Sequence, residues 1–205
     1  MNSASGSRGV ASAACWLVAG VAYPSLEAIA ARAVPGYRYA NDYISDLGRP
    51  DSPLSHLMNT AFVVQGVLFF VGAVLLMPAA RVRDVLPWFA AANCIGNVVV
   101  ASVPSGSAGT AWAHVAGAVL AIVGGNAAIV AGIPLVRAAG APKGYAGVSV
   151  AIAAVGFTSF VLLAVASATS STVVLPGAVL ERTSVYTIIA WQVLSAFALL
   201  AGRRP

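Results

Sequence analysis

AWAHVAGAVLAIVGGNAAIVAGIPLV, residues 111–136, contains one ionisable side chain, His114, in a run longer than the roughly 20 apolar residues that carry a helix across a hydrocarbon core about 30 Å thick. Backbone exposed to lipid has no water to bond, so such a run must be helical. Comparable apolar runs, bounded by charge, Pro or Gly, lie on either side at 9–31, 57–79, 85–103, 145–167 and 183–201. The expected fold is therefore all-α: a polytopic membrane bundle of six transmembrane helices with short links, forming a single domain over 1–205.

Composition points the same way. Hydrophobic residues make up 60% of the 205 and charged residues only 8%, too few for the surface of a soluble domain of this length. The formal charge of +5 comes without any basic run or aromatic-interleaved basic surface, so nucleic acid is not an expected partner. Topology accounts for it better. With both termini cytoplasmic, Arg8, Arg81, Arg83, Arg137, Lys143, Arg203 and Arg204 fall inside, against Arg32, Arg38, Arg49 and Arg182 outside. The acids segregate more sharply, with Glu27, Asp42, Asp46, Asp51 and Glu181 outside and Asp84 inside. The expected location is the cell membrane, multipass. Arg8 and the small residues 28–33 loosely resemble a cleaved leader, but the apolar run is long for one and Pro24 and Glu27 interrupt it.

Polar residues inside the runs have ordinary structural uses. Asn93 and Asn97, one turn apart, share a face expected to turn inward. Gly117, Ala121, Gly124, Gly125 and Ala128 on the fourth run, and Gly147, Ala151 and Ala154 on the fifth, are expected to let helices approach closely. Cys15 and Cys94 fall within predicted helices, and no CxxC supports a disulfide or thiolate metal site.

The chemistry concentrates at one end. Asn41-Asp42-Tyr43-Ile44-Ser45-Asp46-Leu47-Gly48 follows the first helix, and His56, His114 and Glu181-Arg182 begin the second, fourth and sixth at the same side. His56 sits by a solvated loop and reads as an interfacial residue. His114 lies one turn into an apolar helix, where an ionisable group normally faces the bundle interior. Asn41, Asp42, Ser45, Asp46, His114, Glu181 and Arg182 are therefore the candidate ligand-binding residues, converging on an outward-facing pocket.

Asn41 to Gly48 beside the first helix, Pro104 with His114 at the start of the fourth, and Leu180-Glu181-Arg182 before the last resemble the pattern of the domain-of-unknown-function family 998, multipass membrane proteins of bacteria and archaea. The resemblance covers nearly the whole chain. It implies a helical bundle of about this helix count with its polar signature at this end, and it supplies no reaction. Where members often carry an acid after the proline, this chain has Ser105, which weakens any metal-ligand role for that link.

The first function class is a bundle binding a membrane lipid headgroup or small polar ligand, with Arg182, Arg38 and Arg49 meeting phosphate. The alternative is a hydrolase of a lipid ester or phosphodiester, in which His114, Asp46 and Glu181 hold a divalent metal that activates water. No HExxH or paired His on one helix supports it, and a metal is the cofactor only in that case. A small-solute transporter is the third, with Gln65, Asn93, Asn97, Asn126 and Gln192 along a path.

The topology is testable in a chain whose Cys15 and Cys94 have been replaced. A single cysteine within 51–55 should react with an impermeant thiol reagent from outside the cell; protection there with labelling at 81–84 would reverse the orientation.

Overall fold

The computed structural model describes residues 3–77, 84–106, 109–170 and 174–202. These form six helices: α1 (Ser3–Ala33), α2 (Ser55–Leu76), α3 (Leu86–Ser102), α4 (Ala111–Ala138), α5 (Tyr145–Thr169) and α6 (Gly177–Ala201), with one 3-10 turn, Ser45–Gly48, between α1 and α2. The expected all-helical bundle is observed, and five of the helices are long and apolar enough to cross a membrane. The sixth, α3, has 17 residues and rises about 25 Å, somewhat less than the hydrocarbon core. Residues 78–79, assigned from sequence to the second helix, lie outside the described residues.

Successive helices pack antiparallel in chain order, and α6 closes the ring by packing on α1 while also touching α4. Large side chains fill the interior. Trp16, Phe69 and Trp191 form an aromatic cluster, with the two indoles 5.2 Å apart between centroids. Each indole N–H has an acceptor, Trp16 on the Phe69 carbonyl and Trp191 on Ser149 Oγ, so neither polar atom is stranded. Trp88 and Trp112, about three-quarters exposed, stand at the starts of α3 and α4 at opposite ends of the bundle. That is where amphipathic rings meet the two headgroup layers.

Small residues set the closest helix contact. A Cβ at Gly96 would strike the backbone of Gly117 and Ala121, so α3 and α4 touch main chain to main chain. The fifth helix departs from expectation. Gly147, Ala151 and Ala154 face outward, and α5 packs through Tyr145, Ser149, Ala153 and Gly156 instead. Those four recur at helical spacing and bury the polar tips that Tyr145 and Ser149 bond to α6. Cys15 and Cys94 are free thiols, each partly rather than fully buried.

Gly96→Ala should lower the melting temperature in detergent by the equivalent of about 1–3 kcal/mol, the usual cost of overpacking. Gly147→Ala, with nothing near its added methyl, should leave it unchanged.

Candidate functional site: a loop clasped by two residues of α6

Helix α6 starts at Gly177, directly after Pro176, six residues earlier than the run at 183–201 suggested. Glu181 and Arg182 thus lie in its second turn instead of opening it. Charge made them look like a water-facing terminus, but partners on other elements allow them to enter the helix. Consecutive helical residues point about 100° apart, so the two side chains address different neighbours.

Arg182 is 6% exposed, and its guanidinium is bonded along its edges. Nε donates to Glu27 Oε1 at 3.2 Å, and Nη1 donates to the carbonyls of Tyr39 and Asp42 at 2.6 and 2.7 Å and more distantly to Ala178. Nη2 donates to the Tyr37 hydroxyl. The Tyr37 and Tyr39 rings lie 5.5 and 4.9 Å from its central carbon, within cation–π range. Tyr37 passes the link on by donating to the carbonyls of Asp42 and Tyr43. Burial pushes the Tyr37 phenol well above its ordinary range, so it stays a donor. The counter-charge is Glu27 on α1, fully buried, whose Oε2 accepts from Tyr186 at 2.7 Å.

Glu181 holds the same loop from its other polarity. Its Oε2 accepts the Ile44 N–H at 2.6 Å, and the Ser45 N–H also bonds its carboxylate. These donors stand at the start of the 3-10 turn, so a side chain from α6 caps a turn of a distant loop. Within the loop, Asp46 accepts from the Tyr43 N–H and from Ser105 Oγ, and Asp42 accepts from the Arg38 N–H at 2.6 Å. The two aspartates do not share a helical face, because only 45–48 are helical. Asn41 is exposed, with its backbone N–H on the Arg38 carbonyl. Gly48 has no room for a Cβ, which would overlap Asn59 Oδ1, while Asn59 Nδ2 donates to the Gly48 carbonyl. Of the arginines expected to meet phosphate, Arg49 is paired with Asp51 and Arg182 is enclosed as above.

Among the described residues the candidates are not gathered in one pocket: two recesses lie on opposite flanks of α6, and Asn41, Asp42 and Asp46 line neither. On one flank is an internal cavity of about 40 Å³, lined among others by Ser45, Gln65, Asn93, Asn97, His114 and Glu181. It is large enough for about three waters. His114 lines it, with Nδ1 2.6 Å from the carbonyl of Val103, the residue that follows the last turn of α3 as its C-cap. In that pairing Nδ1 carries the proton, and the ring satisfies an end carbonyl that has no helical partner. The buried amides cross-link helices: Asn93 donates to the Ala121 carbonyl, Asn126 to the Ser184 carbonyl, and Gln192 to Gln65 Oε1. Among the described residues no group of three or more His, Cys, Asp or Glu side chains is placed to hold a metal ion, so His114, Asp46 and Glu181 are not gathered as a ligand set. His56 is exposed and outside both sites.

On the other flank is an open groove of about 700 Å³. Its floor is Val179, Arg182, Thr183, Tyr186, Thr187 and Ala190 of α6; Ala151, Ile152 and Val155 of α5 form a wall, and Tyr39 and Ala40 close the end. From 179 to 190 the helix rises about 16 Å, close to half of a 30 Å hydrocarbon core.

A family model described as "Protein of unknown function (DUF998)" matches residues 17–198. The chain belongs to this family. No curated protein and no solved structure matches it.

In this DUF998 chain the motif residues that stood out in sequence have a shared mechanical role: the 41–48 loop is the object held, and Leu180-Glu181-Arg182 carries the clasp. Glu27, Tyr37, Tyr39 and Tyr186 complete it and were missed as site residues. Glu27 offered one signal, a carboxylate within an apolar helix with no basic residue a turn away, which requires a partner elsewhere.

Glu27→Gln should destabilise the DUF998 fold by about 3–5 kcal/mol, the cost of leaving one charge of a buried pair alone. Thermal unfolding of Glu27→Gln, Arg182→Met and the double variant should show a combined loss at least about 1 kcal/mol smaller than the sum. Strict additivity would mean that the pair is not coupled.

Proposed function

We propose that this protein binds a membrane lipid, with one chain lying in the groove along α5 and α6 and the polar end beside Tyr39, Thr183 and Tyr186. The observation that carries this is the groove's form: about 700 Å³, open sideways on two helices that are each long and apolar enough to span a membrane, and closed at one end by a polar loop. A recess at that position faces acyl chains, not water. Its volume is in the range of small-molecule sites, and its length matches one leaflet. By the distribution of Lys and Arg, the loop end belongs to the outer leaflet of the cell membrane and both termini to the cytoplasm.

The clasp explains why such a site would hold its shape. Tyr39, the end wall, is fixed by its carbonyl on Arg182 and its ring over the guanidinium. Arg182 contributes to the groove as a buried scaffold, since Glu27 cancels its charge.

Val155→Trp and Ala190→Trp would each place an indole in the groove, one from its α5 wall and one from its α6 floor. Protein purified in mild detergent should retain clearly less co-purified lipid in either variant, with helix content and melting temperature near those of the parent. Undiminished lipid in folded variants would overturn the proposal.

A further inference from the structure

On the flank of α6 away from the groove one buried charge lacks an opposite, and we infer that the internal cavity there binds a single small monovalent cation with water, Glu181 being its counter-charge. This stands independently of the lipid groove. Among the described residues two ion pairs form, Arg49 with Asp51 and Arg182 with Glu27. Neither reaches Glu181, whose carboxylate lines the cavity and is bonded by the N–H groups of Ile44 and Ser45. Two such bonds occupy part of a carboxylate's lone pairs and leave its net charge in place. Arg182 is the next residue, but its guanidinium is bonded to Glu27 and to the 37–42 segment, and the other charged neighbour, Asp46, has the same sign as Glu181.

The rest of the lining offers acceptors. Tyr23 is 2% exposed, and its hydroxyl has no hydrogen-bond partner among the described residues. The same is true of Ser45 Oγ and of Asn97 Oδ1, the latter in a residue 8% exposed whose amide nitrogen is held by Asn93. On His114 the Nδ1 proton goes to Val103, which leaves Nε2 a bare acceptor. Buried polar atoms normally have partners, yet here oxygens from α1, the loop, α3 and α6 line one small space without them. Donors are fewer. Backbone N–H groups of the lining residues are bonded within helices or, at Ile44 and Ser45, on Glu181, which leaves side-chain amide protons of Gln65 and Asn93. A water can accept one of these and still turn a lone pair to a cation.

Charge selects the guest. An anion would add to the charge of Glu181, and an apolar molecule would strand the polar atoms around it. A divalent ion, usually held by several carboxylates, would leave the cavity with an excess positive charge. One carboxylate with neutral oxygens matches one positive charge. The volume of about 40 Å³ admits an ion with about two waters, the protein's oxygens replacing part of its hydration shell. An alkali ion and a hydrated proton share this chemistry.

Melting temperature in mild detergent would be compared in sodium, potassium and choline chloride at equal ionic strength. Around the cavity Tyr23 of α1, His114 of α4 and Asp46 of the loop are the titratable groups besides Glu181 and Arg182 of α6, while α2 and α3 present amides and apolar side chains. At about pH 8 sodium or potassium should raise the melting temperature over choline by about 2 °C or more once it exceeds its dissociation constant tenfold, and the rise should shrink towards about pH 6 as a proton displaces the ion from Glu181. Glu181→Gln should abolish the rise. Tyr23→Phe, which removes an oxygen and no charge, should weaken the apparent affinity by about fivefold or more, and it decides alone where Glu181→Gln does not fold. No alkali-ion effect, but a stability lost between about pH 6 and pH 8 in the parent and not in Glu181→Gln, would assign the site to the proton, which stabilises below the pKa of the folded state and is released above it. A rise equal in choline, an alkali-ion affinity unchanged in Tyr23→Phe, or dependence on neither ion nor pH would overturn the inference.

Discussion

A guanidinium buried among apolar helices must have every edge bonded and its charge opposed, and the loop end of this bundle is built around meeting that demand for Arg182. Glu27 from α1 supplies the charge, carbonyls of Tyr39 and Asp42 supply acceptors, and Tyr37 supplies a hydroxyl. Insertion scales put an unpaired charge near the membrane centre at about 2.5–3.5 kcal/mol, so Glu27 and Arg182 are tolerable in these helices chiefly as a pair. Their union joins α1, α6 and the intervening loop at a single point.

Glu181 completes the device because it is the next residue along the helix. One side chain collects backbone N–H groups of the loop and its neighbour collects backbone carbonyls, so a segment with little secondary structure has its main-chain polarity answered from both sides. The loop then serves as a wall for both recesses: Tyr39 and Ala40 end the groove, while Ile44 and Ser45 close the cavity on the opposite flank of α6. The shape of either recess depends on the same few hydrogen bonds.

Deeper in the bundle, the polar groups are modest and paired. Asn93 and Asn97 turned inward as their spacing required, and Asn126 and Gln192 tie α4 and α2 to α6. Such bonds are worth around 1 kcal/mol or less each in a membrane, and they fix the rotation of helices whose apolar surfaces alone would slide. The small-residue stripe of α4 was legible because it is broad and uninterrupted. That of α5 misled, since Gly147, Ala151 and Ala154 are small for lack of a neighbour as readily as for having one close by.

By itself the sequence determined that this chain is a membrane bundle, where its helices run to within about three residues except at the starts of α1 and α6, each six residues earlier than expected, and which end gathers the charged residues of the 41–48 loop and α6. Those follow from local quantities: the length of an apolar run and the cost of placing charge in it. It also singled out 41–48 and Glu181-Arg182, because charge is so sparse elsewhere. Only the tertiary structure decided what they meet. Glu27 and Arg182 are 155 residues apart, and whether they touch depends on the rotational phase of α1 and α6. A helix surrounded by lipid outside and apolar neighbours inside is hydrophobic all round, so no polar stripe in its sequence records that phase. For the same reason the candidate residues of α6 are divided between two recesses: Glu181 and Arg182, one step apart, face different flanks, and only the packed ring of helices shows what lies on each.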